Sequence, residues 1–294
     1  MRSLFVLAVF LVVAAAPVPA RAVLPASTFS YDATAPLDVR IARSWREGTT
    51  TFEDVTFASP FSRRIHAQIV VPAGAGPRPG VLFVHWLGDP KTTNLTEFLP
   101  DARALAGRGV VSVLVDAMWA APEWFDKGRS PDTDYADSIH QVVDLRRAID
   151  LLLAQPDVDA QRIAYVGHDF GAMYGAVLSG VDARPKFYVL MAGTTSFSDW
   201  FLLGAQPKDK AAFVAQMRVL DPPDYLAAGT ERKLMLQFSL HDQYVSMPAA
   251  LRFAAAAPGE CGLFFYDADH GLGRPEIATD RLDWLESRLL EDHV

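Results

Sequence analysis

Three side chains in this sequence, two carboxylates and one histidine, are of the types that hydrolytic chemistry requires. Asp169 lies in Gly-His-Asp-Phe-Gly, between an apolar run and a stretch of small residues, which predicts a sharp turn from a strand into a helix. Asp242 follows 73 residues later and His270 another 28, each just after an apolar run. A histidine on a loop can reach such a turn while a carboxylate holds its other nitrogen. We therefore predict Asp169 as nucleophile, Asp242 as acid and His270 as base. Asp199 is the alternative candidate for the acid.

A carboxylate at this turn predicts chemistry different from that of a hydroxyl. Its ordinary pKa is about 3.9, so Asp169 is ionised at neutral pH without a base. Its attack on an epoxide or an alkyl halide gives an alkyl ester, which water activated by His270 then hydrolyses. This is the main hypothesis. Two alternatives stay open: an ester or lactone hydrolase in which Asp169 is a general base towards water, and a non-catalytic binding protein that has lost its nucleophile.

The turn and the order of the three residues resemble the α/β-hydrolase superfamily. The segment 167–171 looks like the nucleophile elbow of epoxide hydrolases and haloalkane dehalogenases, whereas roughly residues 50–290 resemble dienelactone hydrolases and secreted esterases. The resemblance implies the α/β-hydrolase fold and a covalent intermediate on Asp169. The chemistry needs no cofactor.

The resemblance also implies where the remaining site residues lie. In the superfamily one oxyanion donor follows a strand that ends in a His-Gly-containing segment, and the other follows the nucleophile. In this sequence these donors are the N–H groups of Trp86 and Phe170, with His85 beside the first. Trp86 stands where the superfamily has glycine. Tyr225 is the candidate for the cap tyrosine of epoxide hydrolases, and Phe170 occupies the position of the halide-binding tryptophan of dehalogenases.

A mostly parallel sheet is expected to position these residues. The later apolar runs are continuous, which is typical of strands that are buried on both faces and separated by helices. We predict an irregular segment 23–50 and one α/β domain 51–294, with eight strands, helices on both faces and a small lid insert 194–232. The predicted strands are Thr51–Phe57, Arg64–Val71, Val81–His85, Val110–Asp116, Arg162–Val166, Phe187–Met191, Lys233–Phe238 and Gly262–Tyr266. The predicted helices are Asn94–Ala106, Asp137–Leu153, Phe170–Ser179, Pro207–Met217, Pro248–Ala256 and Asp280–Leu290.

The amino terminus predicts export. A basic start is followed by the uncharged run Leu4–Ala16 and an Ala-Arg-Ala ending, which is typical of a secretory signal peptide, residues 1–22, cleaved after Ala22. An uncleaved membrane anchor is the alternative, which two prolines and the small-residue cleavage site disfavour. We therefore predict a secreted or periplasmic protein without a stable membrane anchor.

Composition excludes several classes of protein. Of the 294 residues, 50% are hydrophobic and 21% charged, which is ordinary for a globular protein. The net charge of −8 argues against nucleic-acid binding and favours a small neutral or apolar organic substrate. Cys261 is the single cysteine, so an intramolecular disulfide is excluded. His66, His140 and His293 have no paired ligands at metal-ligand spacing, so we expect no metal site.

Overall fold

The computed structural model describes residues 23–229 and 231–290, so the predicted signal peptide lies outside the described residues. The described residues form one sheet of nine strands. The strands are β1 (Arg40–Glu47), β2 (Thr50–Ala58), β3 (Arg64–Val71), β4 (Arg78–Val84), β5 (Val111–Val115), β6 (Val158–His168), β7 (Phe187–Met191), β8 (Lys233–Ser239) and β9 (Cys261–Tyr266). Their order across the sheet is β1-β2-β3-β5-β4-β6-β7-β8-β9.

The sheet is antiparallel at one side and parallel over the rest. Strands β1, β2, β3 and β5 pair antiparallel in that order, and every pair from β5 to β9 is parallel. The predicted mostly parallel α/β architecture is therefore confirmed, although it has nine strands instead of eight. The additional strand, β1, shows that the prediction of an irregular segment 23–50 is wrong for Arg40–Glu47. This strand is almost wholly exposed, so it lacks the buried apolar pattern that marked the others, and hydrogen bonds to β2 hold it.

Helices cover both faces of the sheet. They are α1 (Leu99–Ala106), α2 (Asp134–Leu153), α3 (Phe170–Val181), α4 (Phe197–Phe201), α5 (Lys210–Met217), α6 (Pro222–Ala228), α7 (Met247–Ala255) and α8 (Pro275–Leu289). Successive residues of β4 point to opposite faces, so Leu82 packs in the core under α2 and α3, and Phe83 in the core under α1 and α8. No helix of the described residues is long and apolar enough to cross a membrane.

Parallel pairing brings the carboxyl ends of the central strands to one edge of the sheet. Val84 of β4 pairs with Gly167 of β6, and the next residue of β6, His168, pairs with Met191 of β7. Ser239 of β8 likewise pairs with Tyr266 of β9. The loops that follow these strands therefore meet at the same edge, where ligands of open α/β sheets usually bind.

The insert 194–232 contains three helices, α4, α5 and α6, where the sequence predicted one. Tyr225 of α6 lies at the far end of α3 from the turn at Asp169: a Cβ on Gly180 would be 2.7 Å from its carbonyl oxygen. The Tyr225 hydroxyl donates to the Val219 carbonyl oxygen and accepts from the Leu24 N–H. The prediction that Tyr225 contacts the substrate is therefore wrong, because about ten helical residues, or about 15 Å, separate it from the turn.

Candidate active site

The turn between β6 and α3 places Asp169 in a strained conformation. Its φ is 58° and its ψ −118°, in a region that residues other than glycine seldom adopt. The flanking glycines make the turn possible because there is no room for a side chain at either one. A Cβ on Gly167 would lie 2.4 Å from the Gly171 carbonyl oxygen, and one on Gly171 would lie 2.4 Å from the Val84 carbonyl oxygen. This packing projects the Asp169 side chain from the edge of the sheet.

The structure brings together the three residues that the sequence singled out. His270 Nδ1 lies 2.8 Å from Asp242 Oδ2, and its Nε2 lies 3.5 Å from Asp169 Oδ1. All three side chains are at least nine-tenths buried. The second Asp242 oxygen accepts the N–H groups of Tyr244 and Val245, which fixes the loop after β8. Asp199, the reserve acid, is exposed on α4.

Two carboxylates determine the protonation of His270. Burial alone lowers the pKa of this imidazole, but the neighbouring Asp169 and Asp242 carboxylates outweigh that effect and raise the pKa to about 9. Burial acts to raise the pKa of Asp242, and the His270 hydrogen bond and charge, with two backbone N–H groups, lower it overall. These contacts favour the protonated form of His270 at neutral pH.

The loop after β4 supplies a backbone donor, although it is not the predicted one. The Leu87 N–H donates to Asp169 Oδ2 over 2.9 Å, whereas the Trp86 N–H donates to Glu97 Oε2, also over 2.9 Å. The prediction of Trp86 as an oxyanion donor is wrong, because Glu97 engages its N–H. Phe170 is the first residue of α3, and its N–H has no intrahelical partner at that position.

His85 holds the loop after β4 through hydrogen bonds to backbone groups. Its Nε2 accepts the Ala117 N–H over 3.1 Å, so its Nδ1 carries the proton and donates to the Trp86 carbonyl oxygen over 2.8 Å. Burial lowers the pKa of His85, which is consistent with this neutral form. The predicted direct role of His85 in substrate binding is corrected: both of its nitrogens are engaged by the backbone.

Sequence reasoning missed a second buried pair beside the site. His168 Nδ1 lies 2.7 Å from Glu97 Oε1, and His168 Nε2 lies 2.9 Å from the His270 carbonyl oxygen. His168 precedes Asp169 in the elbow, where a histidine by itself indicates only packing or local hydrogen bonding. Glu97 gave no signal, because it falls in a predicted helix where an acid is usually a solvated surface residue.

Aromatic rings surround His270. The ring centroids of Trp86, Trp200 and Tyr244 lie 5.8, 6.1 and 5.0 Å from that of His270. Tyr244 is half exposed and so marks the solvent side of the site. The Trp200 Nε1–H is buried and has no hydrogen-bond partner within the part of the chain that the structure describes. A buried donor without a partner is unusual, so it is a candidate for contact with a ligand.

Comparison with solved structures identifies the fold. No protein-family model matches the sequence, and no curated protein is similar to it. The structure is similar to an acetyl xylan esterase from Paenibacillus sp. R4, with a TM-score of 0.67 and 18% identity over 90% of this chain and 92% of that one. It is also similar to acetyl xylan esterase 1 from Thermoanaerobacterium sp. JW/SL YS485, with a TM-score of 0.66 and 15% identity over 88% of this chain and 91% of that one. A glucuronoyl esterase from Solibacter usitatus is similar with a TM-score of 0.63 and 13% identity over 86% of each chain.

The fold is therefore the α/β-hydrolase fold that the sequence resemblance implied. At these identities the similarity shows the fold alone, so chemistry must be argued from the side chains at the edge of the sheet. Among residues 23–229 and 231–290, no three His, Cys, Asp or Glu side chains are grouped to hold a metal ion.

Proposed function

We propose that the protein hydrolyses a carboxylic ester or lactone, with Asp169 as general base and His270 as general acid. The observation that carries this proposal is the position of the His270 ring between two carboxylates, 2.8 Å from that of Asp242 and 3.5 Å from that of Asp169, which favours its protonated form. A protonated imidazole cannot accept a proton from water, but it can donate one to a leaving alcohol. Asp169, which is 3.5 Å from it, is the group that can accept one.

The proposed reaction needs one water molecule and no covalent intermediate. Asp169 takes a proton from water as the hydroxide oxygen bonds to the ester carbonyl carbon. His270 then gives its Nε2 proton to the leaving oxygen as the carbon–oxygen bond breaks. A separation of 3.5 Å from Asp169 is too long for a strong hydrogen bond, so this proton is available to the substrate. Transfer of the proton from Asp169 to His270 restores the site.

Two donors are suited to the developing oxyanion. The Phe170 N–H begins α3, so the positive end of the helix dipole adds to its effect. The buried Trp200 Nε1–H is the second donor, and its ring is 5.1 Å from that of Phe170. Asp242 retains its predicted role of orienting His270. The aromatic walls favour a substrate that is neutral or apolar, and the esterase activities named for the similar structures are consistent with an ester.

A second candidate reaction is favoured by one specific contact. Asp169 Oδ2 accepts the Leu87 N–H, while Oδ1 faces the site. This is the arrangement needed if Oδ1 attacks an epoxide or alkyl halide and water then attacks the Asp169 carboxyl carbon, with the oxyanion on Oδ2. Esterification would remove the charge of Asp169, which would lower the pKa of His270 and allow it to act as a base.

Single turnovers in H₂¹⁸O distinguish the two reactions. With enzyme in excess over an ester, the general-base route puts solvent oxygen into the product acid and leaves the Asp169 peptide unlabelled. With an epoxide or halide, the covalent route puts solvent oxygen into the Asp169 carboxylate. A mass increase on the Asp169 peptide with an ester would refute the general-base role. Ligand binding without turnover, unchanged in Asp169→Asn and His270→Gln, would instead indicate a non-catalytic binding protein.

We also infer that residues 1–22 direct export to a secreted or periplasmic location. The support is the basic start, apolar run and small-residue ending of the segment. The mass of the protein recovered outside the cytoplasm should correspond to a chain that begins at Val23. A chain that retains Met1 and stays with the membrane fraction would contradict this inference.

A further inference from the structure

We propose that Glu97 and His168 form a positioning pair that selects which backbone N–H faces Asp169 and holds the His270 loop in register. The inference rests on the proposed function, since it concerns that site. Neither side chain is hydrogen-bonded to Asp169 or to the His270 ring, although the His168 ring centroid lies 5.5 Å from that of His270. His168 is fully buried, and the Glu97 side chain is 15% exposed. Together they connect the loop after β4 with the loop after β9 through the residue next to Asp169.

The hydrogen-bonding capacity of each group fixes the direction of this chain of contacts. The His270 carbonyl oxygen can only accept, so His168 Nε2 carries a proton and donates it there over 2.9 Å. One further proton lies between His168 Nδ1 and Glu97 Oε1, which are 2.7 Å apart. Wherever that proton resides, Glu97 Oε2 remains an acceptor, and it receives the Trp86 N–H.

This engagement of Trp86 determines the geometry at Asp169. With the Trp86 N–H directed to Glu97, the next N–H of the loop, that of Leu87, reaches Asp169 Oδ2. The Trp86 ring also stacks on the His168 imidazole, with centroids 5.4 Å apart and planes 23° apart. Loss of the pair would free the loop to turn and would release the His270 backbone. Small displacements of this kind lower catalytic rates strongly.

Two substitutions of Glu97 distinguish a positioning role in catalysis from a role in folding stability alone. Glu97→Ala removes both contacts, whereas Glu97→Gln can accept the Trp86 N–H with its oxygen and donate its NH₂ to a neutral His168 Nδ1. For the folded enzyme we expect Glu97→Ala to lower kcat by about 10- to 100-fold with little change in KM, and Glu97→Gln to stay within about threefold of wild type. Equal losses in the two variants would overturn the proposal.

Asp101→Ala is the matched control. Asp101 lies four residues further along, has a side chain that is 6% exposed against 15% for Glu97, and pairs with Arg281 instead of with the loop after β4. Its removal should lower Tm without lowering kcat of the folded protein. If Asp101→Ala and Glu97→Ala lower kcat alike, the effect of Glu97 is structural and the proposal fails.

An NMR measurement tests the pair without relying on turnover. The Leu87 amide proton should shift and exchange faster with solvent in Glu97→Ala, and both should stay near wild type in Glu97→Gln and Asp101→Ala. An unmoved Leu87 amide in Glu97→Ala would refute the inference even if ester turnover were confirmed. A shifted amide in a protein without ester turnover would support the pair and refute the proposed function. If Glu97→Ala does not fold, His168→Phe keeps a ring on Trp86 and removes the hydrogen bonds to Glu97 Oε1 and to the His270 carbonyl oxygen. Glu97 then loses the contact that holds its carboxylate against the Trp86 N–H, so the Leu87 amide must shift there.

Discussion

Replacement of Asp169 by asparagine should lower the pKa of His270. The substitution keeps the size of the side chain and an oxygen that can accept the Leu87 N–H, but it removes one of the two negative charges that hold the imidazole protonated. The second charge, on Asp242, remains at 2.8 Å. The perturbation therefore isolates the charge at position 169.

The size of the effect follows from the geometry. Two unit charges about 4 Å apart interact by about 4 kcal/mol at an effective dielectric constant of about 20, which is about three pKa units. In the protein Nε2 and Oδ1 are 3.5 Å apart and nearly dry. Relaxation of the site and the remaining amide dipole reduce the effect, so we expect the pKa to fall by about two units.

A titration of the ¹⁵N-labelled imidazole nitrogens measures this shift directly. In the wild type His270 should titrate near pH 9 and in Asp169→Asn near neutrality. Asp101→Asn, which changes a buried carboxylate that does not contact His270, should leave the titration unchanged. A fall of less than about half a unit in Asp169→Asn would refute the assignment of His270 as an imidazolium held by Asp169.

Three further predictions concern stability. The pKa of His270 is raised from 6.5 to about 9, so its contribution to the free energy of unfolding, at most about 3 kcal/mol, is complete below pH 6.5 and is lost as the pH rises through 9. Urea unfolding of the wild type should show this loss, and His270→Gln should make the free energy of unfolding less dependent on pH. Gly171→Ala should abolish soluble folded protein, because its Cβ would lie 2.4 Å from the Val84 carbonyl oxygen, and a normal Tm would contradict the turn described above. Tyr225→Phe should lower the free energy of unfolding by about 1–3 kcal/mol, because the hydroxyl loses its hydrogen bonds to Leu24 and Val219, and kcat should stay unchanged. A lowered kcat would show that Tyr225 does act in the active site.

The main features of the fold were predictable from the sequence because they depend on local patterns. Continuous apolar runs marked the buried strands, and the spacing of Gly167 and Gly171 marked the turn that carries Asp169. The order of Asp169, Asp242 and His270 was sufficient to propose that they meet, and the structure brings them together.

The features that escaped prediction depend on contacts between distant residues. The donor to Asp169 is Leu87 because Glu97, ten residues beyond it, engages the preceding N–H. Tyr225 is structural because α6 packs at the far end of α3. Neither outcome leaves a trace in the local pattern, since each depends on which side chain reaches a particular backbone group.

The carboxylate at position 169 has two effects that act together. Together with Asp242 it raises the pKa of His270 from 6.5 to about 9, so in the proposed reaction the histidine is the acid at neutral pH and Asp169 supplies the base. It also occupies the Leu87 N–H, so the oxyanion of an ester needs donors elsewhere, and Phe170 and Trp200 are the ones at hand. A serine would do neither, because it carries no charge and has only one side-chain oxygen. In the proposed reaction the acid and base roles are therefore exchanged relative to a serine–histidine pair, and the pKa of His270 is the quantity that decides between the two assignments.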